Sequence, residues 1–117
     1  MTSNDFWIGE LTSNIPVRES WLSSCREPPI ETHLSIVDPH HHLWIRPEGR
    51  YMIEEFTSDI EGNNVAATIH VECTAHYFHD GPHALKPVGE TRAVVAIGES
   101  QASSHRCKVA AGIVGFA

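Results

Sequence analysis

The chain has 117 residues and a formal charge of −7 with histidine neutral, from eight Lys and Arg against fifteen Asp and Glu. That size suits one domain, and so acidic a balance offers little to a phosphate backbone, which argues against nucleic acid as a partner. No apolar run approaches the roughly 20 residues that cross a bilayer, and residues 1–7 lack the basic patch and apolar core of a signal peptide. Cys25, Cys73 and Cys107 fall at no metal-like spacing, which points to a reduced, cytoplasmic compartment.

Residues 1–33 are polar and irregular. They read as an N-terminal leader, with Phe6, Trp7 and Trp21 as anchors against the outside of the domain or, equally, as a partly disordered tail. Residues 19–25 suit a turn or two of helix, stopped by Pro28-Pro29. The domain proper spans residues 34–117. It opens with an apolar run at 34–38 that reads as a short buried strand, with a histidine segment as its exit loop. Arg46-Pro47-Glu48-Gly49 is turn chemistry. Met52, Ile53, Phe56 and Ile60 fall at helical spacing and predict an amphipathic helix over 51–61, ended by Gly62-Asn63-Asn64. Residues 65–71 read as a second strand. A strand, a helix and a strand at this spacing form a βαβ unit with parallel strands and a right-handed crossover. A His-rich loop follows over 73–83. Pro87 suits a helix start, with Glu90 in the first turn where the dipole favours a carboxylate. Val88, Val94, Val95 and Ile97 supply an apolar stripe to about residue 101, and Gly98 weakens the middle. Residues 109–114 complete a β-α-β-α-β pattern of the α/β class.

Chemistry concentrates in Asp38-Pro39-His40-His41-His42. Side chains two apart on extended backbone point the same way, so His40 and His42 share one face and His41 takes the other. Two imidazoles at a strand end are a natural half-site for a divalent metal such as Zn²⁺. Asp38 has the same parity and is placed to support them. Glu72, at the end of the second strand, shares parity with Thr68 and His70. It reads either as a catalytic group near the metal or as a buried carboxylate bonded to backbone or to His70. His76, His79 and His83 read as solvated loop residues, and Cys73 as a buried, inert thiol.

The string Ile36-Val37-Asp38-Pro39-His40-His41-His42-Leu43-Trp44 resembles the opening strand of the amidohydrolase family, in its second large branch of lactonases and related metal-dependent hydrolases. Val71-Glu72-Cys73, Asp80-Gly81-Pro82, Pro87-Val88-Gly89-Glu90-Thr91 and Ala111-Gly112-Ile113-Val114-Gly115 also resemble that branch, in its order and at roughly its spacing. Two positions depart from it: relatives often carry Arg where Thr74 stands, and His where Phe116 stands.

The resemblance implies a distorted (β/α)8 TIM-type barrel with its site at the strand ends. Such a barrel usually needs roughly 250 residues, so the expectation is an incomplete one, its N-terminal β-α-β-α-β part. His40 and His42 would be metal ligands and, with Glu72, catalytic residues. The cofactor would be Zn²⁺ or another divalent metal, or none, as in lactonases that polarise substrate with the same histidines. The implied reaction is hydrolysis of a lactone or amide-like carbonyl in a small-molecule substrate by the full-length enzyme, with little turnover from this chain alone. A decarboxylase of the same branch is a close variant. Two other readings stand beside it: a catalytically inactive chain acting as a binding or assembly partner, and a stand-alone metal module drawing ligands from the 76–83 loop. An open sheet edge after the third strand predicts an oligomer or aggregation.

Overall fold

The computed structural model describes residues 18–25, 27–47, 49–101 and 106–116. Its elements are α1 (Glu19–Leu22), β1 (Ile36–His41), β2 (Trp44–Arg46), β3 (Gly49–Tyr51), α2 (Ile53–Asp59), β4 (Val65–Val71), a 3-10 turn (His83–Leu85), α3 (Val88–Gln101) and β5 (Lys108–Val114). The strands β1, β4 and β5 form one parallel sheet in that order, so the chain is mixed α/β. Phe56 of α2 and Ile97 of α3 meet in one cluster with Leu43, Cys107 and Val109. Both helices therefore cover the same face of the sheet, as right-handed crossovers between successive parallel strands require.

Alternation along β4 sorts its side chains between the two faces. Thr68 and His70 are fully buried beneath the helices. Ile69 lies on the other face with its register partner Gly112, where an added Cβ would come within 2.8 Å of Ile69 Cδ1. Strand β5 carries a bulge: Ala110 has φ of +51°, the register with β4 shifts there, and its N–H turns to the Thr68 hydroxyl at 2.9 Å.

Several boundaries differ from the sequence reading. Strand β1 runs on through Pro39, His40 and His41, so two of the three histidines belong to the strand and not to its exit loop. Proline is tolerated because β1 is an edge strand and Pro39 falls in the register shift between Asp38 and His41, where the ladder with β4 is interrupted. The helix expected over 51–61 is shorter. Tyr51 pairs with Trp44 in a β2–β3 hairpin, and their rings stack at 6.5 Å. Helix α2 starts after Met52, whose N–H donates to Glu55 Oε2 at 2.8 Å. In α1, Trp21 is 65% exposed and nothing is buried, so it anchors no part of the described chain. Phe6 and Trp7 lie outside the described residues.

Helix α3 spans the expected residues, but Gly98 is more than a weak point in it. A Cβ there would sit 2.9 Å from the Val109 carbonyl oxygen, so the glycine lets α3 lie directly on β5. Gly89 is tighter: a Cβ would meet His76 O and Phe78 N, both at 2.6 Å. These are backbone atoms of the loop after β4 and cannot rotate away. Gly89→Ala is therefore expected to destabilise the protein by about 1–3 kcal/mol through overpacking, outweighing about 1 kcal/mol of helix propensity gained. Urea denaturation checks this, and a Gly89→Ala midpoint at or above wild type would reject the close approach.

Candidate functional site

The C-terminal ends of β1 and β4 bring His40 and His42 together. Asp38 Oδ1 accepts the His40 N–H at 3.0 Å, which fixes the backbone as β1 ends. His42 Nδ1 lies 2.8 Å from the Val71 carbonyl oxygen of β4. A carbonyl only accepts, so Nδ1 carries the proton and the lone pair of neutral His42 sits on Nε2. That Nε2 faces His40 Nε2 at 3.2 Å, with the rings edge to face at 87°. Two imidazole nitrogens on a tetrahedral Zn²⁺, each about 2.0–2.1 Å from it, stand about 3.3 Å apart. The pair thus has the spacing and, at His42, the tautomer of two metal ligands. A ring N–H tied to a backbone carbonyl is the usual support for such a ligand. Without a cation, His40 Nε2–H donates to His42 Nε2 across the same gap. Among the described residues no group of three or more His, Cys, Asp and Glu is placed to hold a metal, so the pair fits half of a site.

His41 turns the other way, as its parity predicts. It is buried, packs on Phe56 at 4.7 Å, meets His70 edge to face at 5.4 Å, and its Nε2 is 3.0 Å from the Thr68 hydroxyl. Burial, and then the neighbouring His70, push its imidazole from 6.5 down to about 4.

Glu72 stands apart from the pair in its bonding. Its Oε1 accepts from the Thr74 N–H at 2.9 Å and from the Tyr77 hydroxyl. It shares strand parity with His70, but the chain has left the strand by residue 72. Its carboxylate closes the following loop, where Thr74 and His76 adopt positive φ of 63° and 57°. His79 and His83 are exposed on that loop. Burial, and then the Glu90 charge, push the Cys73 thiol up to about 11, which leaves it unreactive at neutral pH.

Three side chains hold this region without having been singled out for chemistry in the sequence. Arg46 of β2 donates to the Cys73 carbonyl at 3.0 Å while its guanidinium lies over Trp44. Glu90, 1% exposed, accepts from His70 Nε2 and from the Cys73 N–H, each at 3.0 Å. Burial pushes the Glu90 carboxyl up, but the bonds from His70 and Cys73 outweigh it and the net shift is downward. The Thr68 hydroxyl joins His41 to the β5 bulge. Glu90 had a local signal only for its place in a first helical turn. Its partners lie 17 and 20 positions earlier, beyond any local pattern. A groove of about 530 Å³ lined by Glu54, Thr57, Arg106 and Cys107 contains none of these groups.

Among the described residues no helix is long and apolar enough to cross a membrane. No family model, curated protein or solved structure significantly matches the chain.

The buried His41 makes stability pH-dependent. Between pH 6.5 and about 4 the unfolded chain protonates this group while the folded chain does not. Its contribution is therefore whole above about 6.5 and is lost as pH falls toward 4, on the order of 3 kcal/mol in all. Replacing His41 with Phe is expected to flatten the fall in unfolding free energy across this window. Urea titrations of both proteins at several pH values check it, and equal slopes would refute it.

Proposed function

We propose that the chain forms the opening strands of an amidohydrolase-type (β/α)8 barrel, in which His40 and His42 bind a divalent metal for hydrolysis of a lactone or amide-like carbonyl in a small molecule. The observation that carries this is the His40–His42 contact of 3.2 Å, with His42 Nδ1 fixed on the Val71 carbonyl. Its place also supports the reading, because parallel α/β sheets and barrels hold their sites at the C-terminal ends of the strands. A bound divalent ion would polarise the carbonyl and lower the pKa of a water to about 7. The chain's own part is to hold two lone pairs at ligand spacing, with Asp38 fixing the His40 backbone and Val71 fixing the His42 ring. The remaining ligands and the general base come from elsewhere in the completed enzyme, so this chain alone binds metal weakly and turns over little.

Isothermal titration with Zn²⁺ tests the reading. The expected result is a single weak site, reduced by about tenfold or more in His40→Ala and in His42→Ala and unchanged in His79→Ala. Binding that survives both of the first two variants would sink it. Binding that needs His76 or His79 as well would point instead to a stand-alone metal module.

A second reading, an assembly partner without catalysis, is favoured by the sheet edges. Val37 beside one edge is 57% exposed, and Val114 and Phe116 at the other are 54% and 60% exposed. Unpaired apolar edge strands recruit further strands. Sedimentation velocity is expected to show concentration-dependent association that Val114→Lys weakens. A monomer at every concentration would exclude this role for the edge in self-assembly.

A further inference from the structure

The Val71 carbonyl that aims His42 belongs to the Val71–Glu72 peptide. The other end of that peptide, the Glu72 N–H, donates to the Val114 carbonyl of β5 at 2.9 Å. One peptide unit thus spans from β5 to the histidine pair. The residues on either side of it, His70 and Cys73, are both bonded to the same oxygen, Glu90 Oε1, at 3.0 Å. Glu90 is almost wholly buried, and its helix is pressed onto the loop through Gly89. A carboxylate so placed cannot relax into water, so its two bonds set where the end of β4 sits. Arg46 adds a bond from the hairpin side, to the Cys73 carbonyl.

We propose that Glu90 is a positioning residue for the histidine pair. By holding His70 and the Cys73 N–H on both flanks of the Val71–Glu72 peptide, it keeps the Val71 carbonyl against His42 Nδ1 and so keeps the His42 Nε2 lone pair turned toward His40. The role in aiming His42 stands on this geometry, and only its consequence for a cation rests on the metal-ligand reading. Glu90 itself has no hydrogen bond to His40 or His42 among the described residues. It acts through backbone.

The test reads the tautomer of His42 in long-range ¹H–¹⁵N imidazole spectra at a pH of about 8, above the ordinary imidazole range. The full chain is compared with Glu90→Gln, which keeps an acceptor oxygen for both bonds, and with Glu90→Met, which fills the space and keeps neither. Wild type and Glu90→Gln are expected to show His42 as the Nδ1–H form, and Glu90→Met a mixture with a substantial Nε2–H share. If Glu90→Met does not fold, His70→Leu, which removes one of the two bonds, must show the same shift in smaller measure. An unchanged tautomer in Glu90→Met, or in His70→Leu where that variant carries the test, overturns the proposal. So does a Glu90→Gln spectrum as disturbed as that of Glu90→Met.

Zn²⁺ titration of the same proteins separates this inference from the ligand-pair reading. A roughly tenfold weaker affinity in Glu90→Met, restored in Glu90→Gln, supports both. A shifted tautomer with no Zn²⁺ binding in wild type leaves Glu90 a positioning residue and ends the metal reading. Zn²⁺ bound through His40 and His42 equally well in every variant, with the tautomer unmoved, does the reverse.

Discussion

A carboxylate removed from water depends on the few bonds it keeps, and the structure turns on the two that Glu90 accepts at Oε1, its buried Oε2 having no hydrogen-bond partner among the described residues. Its Oε1 takes one bond from the His70 ring and one from the Cys73 amide, so the first turn of α3 is fastened to the end of β4. Everything that happens beyond that strand end inherits its position from this clamp. The 72–78 loop is then tied off by Glu72 on Thr74 and Tyr77, by Arg46 on Cys73 and by the close seat of Gly89. The Val71 carbonyl, lying between the clamped residues, turns the His42 ring. A buried carboxylate bonded in this way adds little net stability when its desolvation is counted, but removing one of its partners is costly. What it gives here is a fixed geometry where two imidazoles meet.

The helix layer shows the same economy of space. Helix α3 lies on β5 with Gly98 against a backbone carbonyl, and α2 sends Phe56 beneath His41. The three successive histidines are thereby divided: His41 is part of the buried layer, and His40 and His42 meet each other at the strand end, with the His42 ring edge to face with His70 at 6.4 Å. Burial and the nearness of His70 keep His41 neutral, and a neutral ring can be packed on Phe56 without a buried charge. Among the described residues the opposite face of the sheet, where Ile69 lies, is only partly covered, and no strand pairs with the outer edge of β1 or of β5.

Much of this was legible locally. The strand at 65–71 follows from its β-branched and small residues, and the helix at 88–101 stands where it was expected, although of its expected apolar stripe Val94 is buried while Val88 and Val95 are exposed. The opposition of His41 to His40 follows from the two-residue repeat of extended backbone, whereas His42 lies one residue beyond β1 and is oriented by the Val71 carbonyl. The β2–β3 hairpin was less legible, because Tyr51 fits a helix start as well as a strand and only its partner Trp44 decides. Parity also misled at Glu72, since alternation holds along a strand and ends where the strand does.

By itself, then, the sequence determined the α/β alternation, the order of the strands along the chain and the opposition of His41 to His40, all consequences of local repeat and backbone geometry. Only the tertiary structure decided which carbonyl orients His42, that Glu90 is buried and what it holds, and that Gly89 and Gly98 are points of close approach. Those features depend on groups far apart in the chain meeting within hydrogen-bond or contact distance. No local pattern encodes such a meeting, because it is set by how whole elements pack.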